Sequence, residues 1–413
     1  MLGMVAVLVP PAISETFVTE YESRVRSRQS RCMKLVIFGL SISSSWGNGH
    51  ATLWRGLCAA LALRGHRIHF FEKDVPYYAE HRDLAEIPGC HLHLYSTWDQ
   101  VAAFATALLN ESDVAILTSY CPDAQPATRA LFDSRVNMRV FYDLDTPITL
   151  RRLAAGETVD YLPACGLQPF DLVLSYAGGD ATKCLLALGA KRVAPLYGSV
   201  DPHAYHPQQA RPEFRADLSY LGTYAEERQA ALTKLFIEPA RRLPDRRFVI
   251  GGAQYPASFP WCENIFFVRH LAPADHPAFY CSSRLTLNVT RAAMAEWGYC
   301  PSGRLFEAAA CGAPIISDVW PGLSDFFNLG TEILPVENDD QVIAALGLSD
   351  RELNLIGEAA RQRTLQEHAA TVRAGELEAL LSNPQDAAAA RELPEADGIP
   401  AGCVPISPHY ENH

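Results

Sequence analysis

The feature that most constrains what this chain can fold into is an alternation that occurs twice. From Lys34 onward, short runs of apolar, β-branched and aromatic residues are separated by longer stretches whose apolar positions keep helical spacing. The first half offers LVIFGL, RIHFFE, HLHLY, VAILTS, RVFYDL and LVLSY; the second offers LSYLG, RFVIGG, NIFFV, LTLNV, APIISDV and EILPV. Strands this apolar must be covered on both faces. A parallel connection has to cross the sheet, and a helix is what usually crosses it. The pattern therefore predicts two α/β halves built on parallel sheets. Between them, PLYGSVDPHAYHPQQARPEF concentrates proline and polar residues and reads as a linker.

The expected organisation is a first domain over residues 33–200, a linker over 201–215, a second domain over 216–350 and terminal helices over 351–382. Residues 383–413, rich in Pro, Ala, Gly and charge, read as a mobile tail. Residues 1–32 read as an extension or an upstream start and carry no part of the fold argument. A chain of 413 residues has ample length for two cores.

Charge and composition exclude several classes. Thirty-five basic residues against 47 acidic ones give a net charge of −12, so no global positive field gathers phosphate backbones and no nucleic-acid partner is expected. The opening run MLGMVAVLVPPA lacks a basic flank and is too short to cross a bilayer, so no transmembrane segment is expected. Eleven cysteines without a CxxC pair suit a reducing, cytoplasmic setting.

The densest chemical information lies between Gly298 and Phe327, in GYCPSGRLFEAAACGAPIISDVWPGLSDFF. Ser302 and Gly303 would open a helix whose free N–H groups and positive dipole end suit a diphosphate, with Arg304 adding fixed charge. Glu307, one turn on, could accept two hydrogen bonds from vicinal sugar hydroxyls. Helix chemistry alone also allows Ser302 to be a plain cap and Glu307 a carboxylate that compensates the dipole.

This stretch resembles the sugar-nucleotide signature of glycosyltransferases with two facing Rossmann-like domains, the GT-B fold. It is most similar to the CgeB-type, spore-maturation branch related to glycosyltransferase family 4. The resemblance extends to SISSSWGNGHAT, FEKDVPYYAEHRD, FYDLDTPITL, YLGTYAEERQ and LTLNVTR, spanning roughly residues 34–380. It implies two Rossmann-like domains facing each other across a cleft, with C-terminal helices crossing back to the first. It also implies a hexosyl or related transferase that uses a nucleotide sugar, a UDP-sugar being expected, as co-substrate. No cofactor or metal is expected, because positive side chains and helix termini meet the diphosphate. The acceptor, whether saccharide, lipid-linked or protein, stays open. So do an epimerase of the same shape and a noncatalytic sugar-nucleotide binder. Family 4 carries two glutamates with seven residues between them; Glu307 matches the second, and Tyr299 stands in place of the first.

The remaining candidates follow from position. On the donor side are Gly222 and Thr223 after the first strand of the second half, Arg228, His270 after NIFFVR, and Asn288 and Arg291 around the end of LTLNV. In the first half, Gly47, Asn48 and Gly49 open a helix on the acceptor side. In inverting relatives a histidine placed like His50 serves as general base; capping or acceptor contact are its alternatives. Asp143 and Asp145, at a strand's carboxyl end, are the second catalytic candidates, with an Asx-turn before Pro147 as the other reading. Glu72 and Tyr77, in a segment rich in charge and tyrosine, are candidates for the acceptor surface.

Overall fold

The computed structural model describes residues 32–382, apart from Pro88 and Ala164, so the expected extension and tail fall outside the described residues except for Cys32. The first sheet contains β1 (Lys34–Gly39), β2 (Arg67–Lys73), β3 (Cys90–Tyr95), β4 (Val114–Thr118), β5 (Met138–Asp143), β6 (Leu172–Ser175) and β7 (Val193–Pro195). All are parallel, in the order β3-β2-β1-β4-β5-β6-β7. The second sheet contains β8 (Ala216–Leu221), β9 (Phe248–Gly252), β10 (Ile265–Arg269), β11 (Ser283–Asn288), β12 (Ile315–Ser317) and β13 (Leu334–Pro335), in the order β10-β9-β8-β11-β12-β13. Each sheet reverses its strand order once, between β1 and β4 and between β8 and β11. Such reversals splay the following loops apart and leave a crevice at the strands' carboxyl ends.

Burial explains the apolar strands. β4 and β6 are buried at every position, and each sheet has apolar clusters on both faces. Sequence analysis missed β7, a three-residue strand containing a proline that is too short for any periodicity to register.

Five helices position the site: α1 (Gly49–Leu63) after β1, α2 (Thr146–Ala154) after β5, α3 (Gly303–Ala310) after β11, then α4 (Asp350–Glu367) and α5 (Ala370–Ser382). α4 packs along α3, and the Arg361 side chain donates to the Ala310 carbonyl at 3.1 Å, serving the carboxyl end of α3. α5 crosses back. Its Ala370, Ala374, Leu377 and Leu381 join Leu53, Trp54, Leu57 and Leu61 of α1 in one core. Val200 N–H donates to the His368 carbonyl and Ala370 N–H to the Val200 carbonyl, so the two passages between lobes run side by side. The proline-rich connection is packed rather than loose, since Tyr205 and Phe214 are buried in the second core.

Tyr299 joins the lobes elsewhere. Its carbonyl accepts a hydrogen bond from Gly178 N–H at 2.9 Å, and its N–H donates to Pro321 at 2.7 Å. A Cβ on Gly179 would lie 2.6 Å from the Tyr299 ring, and one on Gly322 2.5 Å, so only glycine lets the ring slot between the two lobes.

Candidate functional site

The two crevices face each other and enclose a cleft of about 830 Å³. Loops after β1, β2, β4 and β5 form one wall; loops after β8, β9, β10 and β11, with the start of α3, form the other.

On the second-lobe wall, Ser302 is the N-cap of α3 by backbone, yet its hydroxyl makes no capping bond. Leu305 N–H donates to the Ser302 carbonyl, while Gly303 and Arg304 N–H have no hydrogen-bond partner among the described residues. Two amide donors therefore stand at the positive end of the helix, facing open space. Arg304 lies beside them, its guanidinium 5.5 Å from the Tyr220 ring, and no carboxylate pairs with it within ion-pair distance among the described residues. Arg228 is similar: it donates to the Thr223 carbonyl at 3.1 Å, and among the described residues its buried Nε has no partner and it forms no ion pair. Burial, then the charges of Arg304 and Arg291, push the Arg228 pKa down. Three arginines crowded without enough carboxylate make a site that an anion would relieve. Gly222 lets them approach, since a Cβ there would sit 3.1 Å from Arg304 and 2.8 Å from the Tyr220 hydroxyl.

Glu307 lines the cleft one turn along α3. Burial raises its pKa, and Arg304 with the hydroxyls of Tyr205 and Tyr280 acts in the opposite direction. His270 holds a left-handed backbone, φ 53°, and its ring lies 3.3 Å from that of Trp46, which also stacks on His81 at 3.9 Å. The contact crosses from one lobe to the other.

The first-lobe wall carries a histidine–carboxylate pair. His50 Nε2 and Asp145 Oδ2 are 2.7 Å apart, with side chains 14% and 13% exposed. His50 Nδ1 is buried and has no partner. An aspartate at Nε2 fixes the ring and favours the tautomer that leaves Nδ1 basic. Asp145 is placed by an Asx-turn, its N–H donating to Asp143 Oδ1 at 3.1 Å. Asn48 caps α1 by accepting from His50 N–H, and donates to the Ser41 and Ser44 carbonyls. Gly47, at φ 59°, turns the chain into that cap.

The structure thus brings Gly47, Asn48, Gly49, His50, Tyr77, Asp145, Gly222, Thr223, Arg228, His270, Arg291, Ser302, Gly303, Arg304 and Glu307 to one cleft. Three candidates lie elsewhere. Glu72 is wholly buried and accepts from the Ser41 and Ser43 hydroxyls and the Ile42 and Ser43 amides. It braces the loop that carries Trp46 instead of meeting an acceptor. Asp143 is also wholly buried beneath the cleft floor, where burial pushes its carboxyl up to about 7. It positions Asp145 and cannot itself meet a substrate hydroxyl. Asn288 is buried outside the cleft lining, with its Nδ2 donating to Ser317, Thr290 and Asp318 and its Oδ1 left without a partner among the described residues. Arg291 does reach the cleft, but Glu227 holds it at 2.6 Å. Sequence reasoning ranked it above Arg228, and the ion pair reverses that order. Tyr120, Tyr176, Gln254 and His276 also line the cleft, and no motif announced them; His81, which lines it too, lies in the FEKDVPYYAEHRD segment.

A family model described as "Glycosyl transferase-like" matches residues 228–379, so this part of the chain is similar to a glycosyltransferase domain. No curated protein matches the sequence significantly. Among solved structures, a sucrose-phosphate synthase from Thermosynechococcus elongatus is similar at TM-score 0.64 and 12% identity, covering 85% of this chain and 98% of that one. Anabaena HepE in complex with UDP and glucose is similar at TM-score 0.61 and 11% identity, covering 85% and 99%. An alpha-glucosyltransferase in complex with UDP is similar at TM-score 0.63 and 11% identity, covering 85% and 100%. The chain has the GT-B fold.

Proposed function

We propose that this chain is a transferase that moves a hexosyl or related sugar from a nucleoside-diphosphate sugar, a UDP-sugar, onto an acceptor entering from the first lobe. The observation that carries the reading is the second-lobe wall. Two unpartnered amides at the start of α3, two arginines without carboxylates and Glu307 one turn on face a single cleft. Amides and guanidinium groups match a diphosphate; the carboxylate matches vicinal hydroxyls of a ribose. HepE, similar in fold, is described with UDP and glucose, which supports a donor of this type.

Cleavage at the anomeric carbon builds negative charge on the departing diphosphate. Arg304, Arg228 and the α3 amides are already aimed where that charge develops, so little reorganisation is needed as it forms. The positive charge comes from the chain's own groups, and the proposed transfer uses no metal. Across the cleft, Asp145 holds His50 at Nε2 and His50 Nδ1 is buried, so the acceptor hydroxyl meets the pair at the Nε2–Oδ2 contact, where the pair takes its proton. Closing the lobes would keep water from the donor. The RLFEAAACG motif supports membership of the CgeB-type branch related to family 4. Among the described residues no helix is long and apolar enough to cross a membrane; with the scattered cysteines, this favours a cytoplasmic enzyme.

Tyr299 favours a second reading, a binder without turnover. The residue in place of the first family glutamate packs between lobes and does not line the cleft. A product assay separates the two: a new glycoside supports transfer, an isomerised donor an epimerase, and no product a binder. Calorimetry with UDP-glucose and UDP tests the donor site itself. Glu307→Ala should weaken binding at least about 100-fold, the loss of two hydrogen bonds to a charged acceptor at about 1.5 kcal/mol or more each, with a much smaller effect on the urea midpoint. Equal affinity in wild type and variant would remove Glu307 from the donor site.

A further inference from the structure

We propose that the acceptor is a neutral saccharide and that Tyr120 is the platform on which its ring rests; this deepens the transferase reading and depends on it. Four non-glycine residues among those described have φ clearly positive: Tyr120, Gln254, His270 and Tyr299. Three of them, Tyr120, Gln254 and His270, line the cleft. Such backbone costs energy and persists where the surroundings dictate it, which tends to be where ligands bind.

At Tyr120 the surroundings are plain. The residue follows β4, at the reversal of strand order in the first sheet, directly across the crevice from the loop that carries His50. Ser119 N–H is bound to the Tyr142 carbonyl and Cys121 N–H to the Thr118 carbonyl, so the chain on either side is fixed. The Tyr120 ring leans on Tyr161 at 4.9 Å, and the Tyr161 hydroxyl is itself held by Thr149 at 2.7 Å. The ring stands 6.1 Å from that of His50, nearly edge-on, and the residue is 37% exposed. A large apolar ring is thus held in a strained backbone, partly open to the cleft, beside the histidine that would meet the acceptor hydroxyl.

The rest of this wall indicates what rests there. Its charged members are His50, His81, Arg82, Asp83 and Asp145. Arg82 is bound to Asp74, Asp83 to Arg55, and His50 to Asp145. Among the described residues no arginine or lysine on this side lacks a carboxylate, whereas Arg228 and Arg304 have none on the other. A phosphorylated acceptor would put its charge next to Asp83 and Asp145 with no free arginine or lysine to balance it. Exposed aromatic faces at Tyr77 and Tyr120, interspersed with carboxylates, suit a neutral ring bearing hydroxyls: the C–H face stacks and the hydroxyls donate.

The test uses saturation-transfer NMR with UDP present. The probes are methyl glycosides of glucose, galactose, mannose and N-acetylglucosamine, together with glucose 6-phosphate and glycerol phosphate. Wild type should bind at least one neutral glycoside. Tyr120→Phe should keep it, and Tyr120→Ala and Tyr120→Gly should weaken it at least tenfold with the UDP Kd within twofold. Tyr120→Gly also guards against misfolding, because glycine accepts this backbone and its urea midpoint should not fall below that of Tyr120→Ala. Unchanged glycoside binding in Tyr120→Ala, binding of the phosphorylated probes alone, or no glycoside binding in a protein that binds UDP would each overturn the proposal. If wild type does not bind UDP, the transferase reading fails, and this proposal fails with it.

Discussion

Replacing Asp143 with asparagine should make the protein more stable in mild alkali while leaving the cleft intact. The carboxyl is wholly buried, and burial holds its pKa at about 7 against an ordinary 3.8, with Asp145 adding to the rise and Thr149 opposing it. Between those two values the folded state binds more protons than the unfolded chain. Stability is therefore full in acid and declines as pH rises from about 4 to about 7. Each pH unit is worth about 1.4 kcal/mol, so the whole interval is worth about 4 kcal/mol, and the part between pH 5 and pH 8 about 2.5 kcal/mol. Asparagine keeps the carbonyl that accepts from Asp145 N–H. It places an NH₂ where Oδ2 now has no partner and cannot ionise. Urea unfolding of both proteins at pH 5, 6, 7 and 8 should show wild type losing about 2.5 kcal/mol that Asp143→Asn retains. Parallel curves would show that Asp143 is not held as a buried acid; the cost of the buried NH₂ shifts the variant equally at every pH, so the difference in slope is what reports the titration.

Two further outcomes concern the opposing walls. His50→Ala should leave the Kd for UDP-glucose nearly unchanged and lower kcat by about 100-fold, the usual scale of a positioned acid–base group; equal turnover at saturating substrates would take His50 out of the chemistry. Arg228→Met should weaken UDP at least tenfold, flatten the salt dependence of its binding and leave uridine binding unchanged; calorimetry at two ionic strengths checks all three, and a parallel loss of uridine affinity would contradict a diphosphate contact.

The strands were legible because both sheets are buried on both faces, which writes an apolar run into each strand regardless of context. The start of α3 was legible because a helix terminus, an arginine and a carboxylate one turn apart are local facts. What escaped was tertiary. Glu72, a charge after a core strand, reads as a surface residue until the fold brings four donors from residues 41–43 onto it. The rank of Arg291 over Arg228 depended on Glu227, 64 residues away in sequence. Tyr120 is one tyrosine among 16, and only its backbone angle and its place beside His50 set it apart.

The return of α5 to α1 sets the order in which the protein can be completed during synthesis. The apolar stripe of α1 is finished early, yet the residues that cover it, Ala370, Ala374, Leu377 and Leu381, come near the end of the chain. At ribosomal speeds of about 5–20 residues per second, the interval from residue 200 to residue 382 is roughly 10–40 s. For that time the first lobe must wait half-clothed, and a chaperone that shields α1 during elongation is the helper such a design would select for.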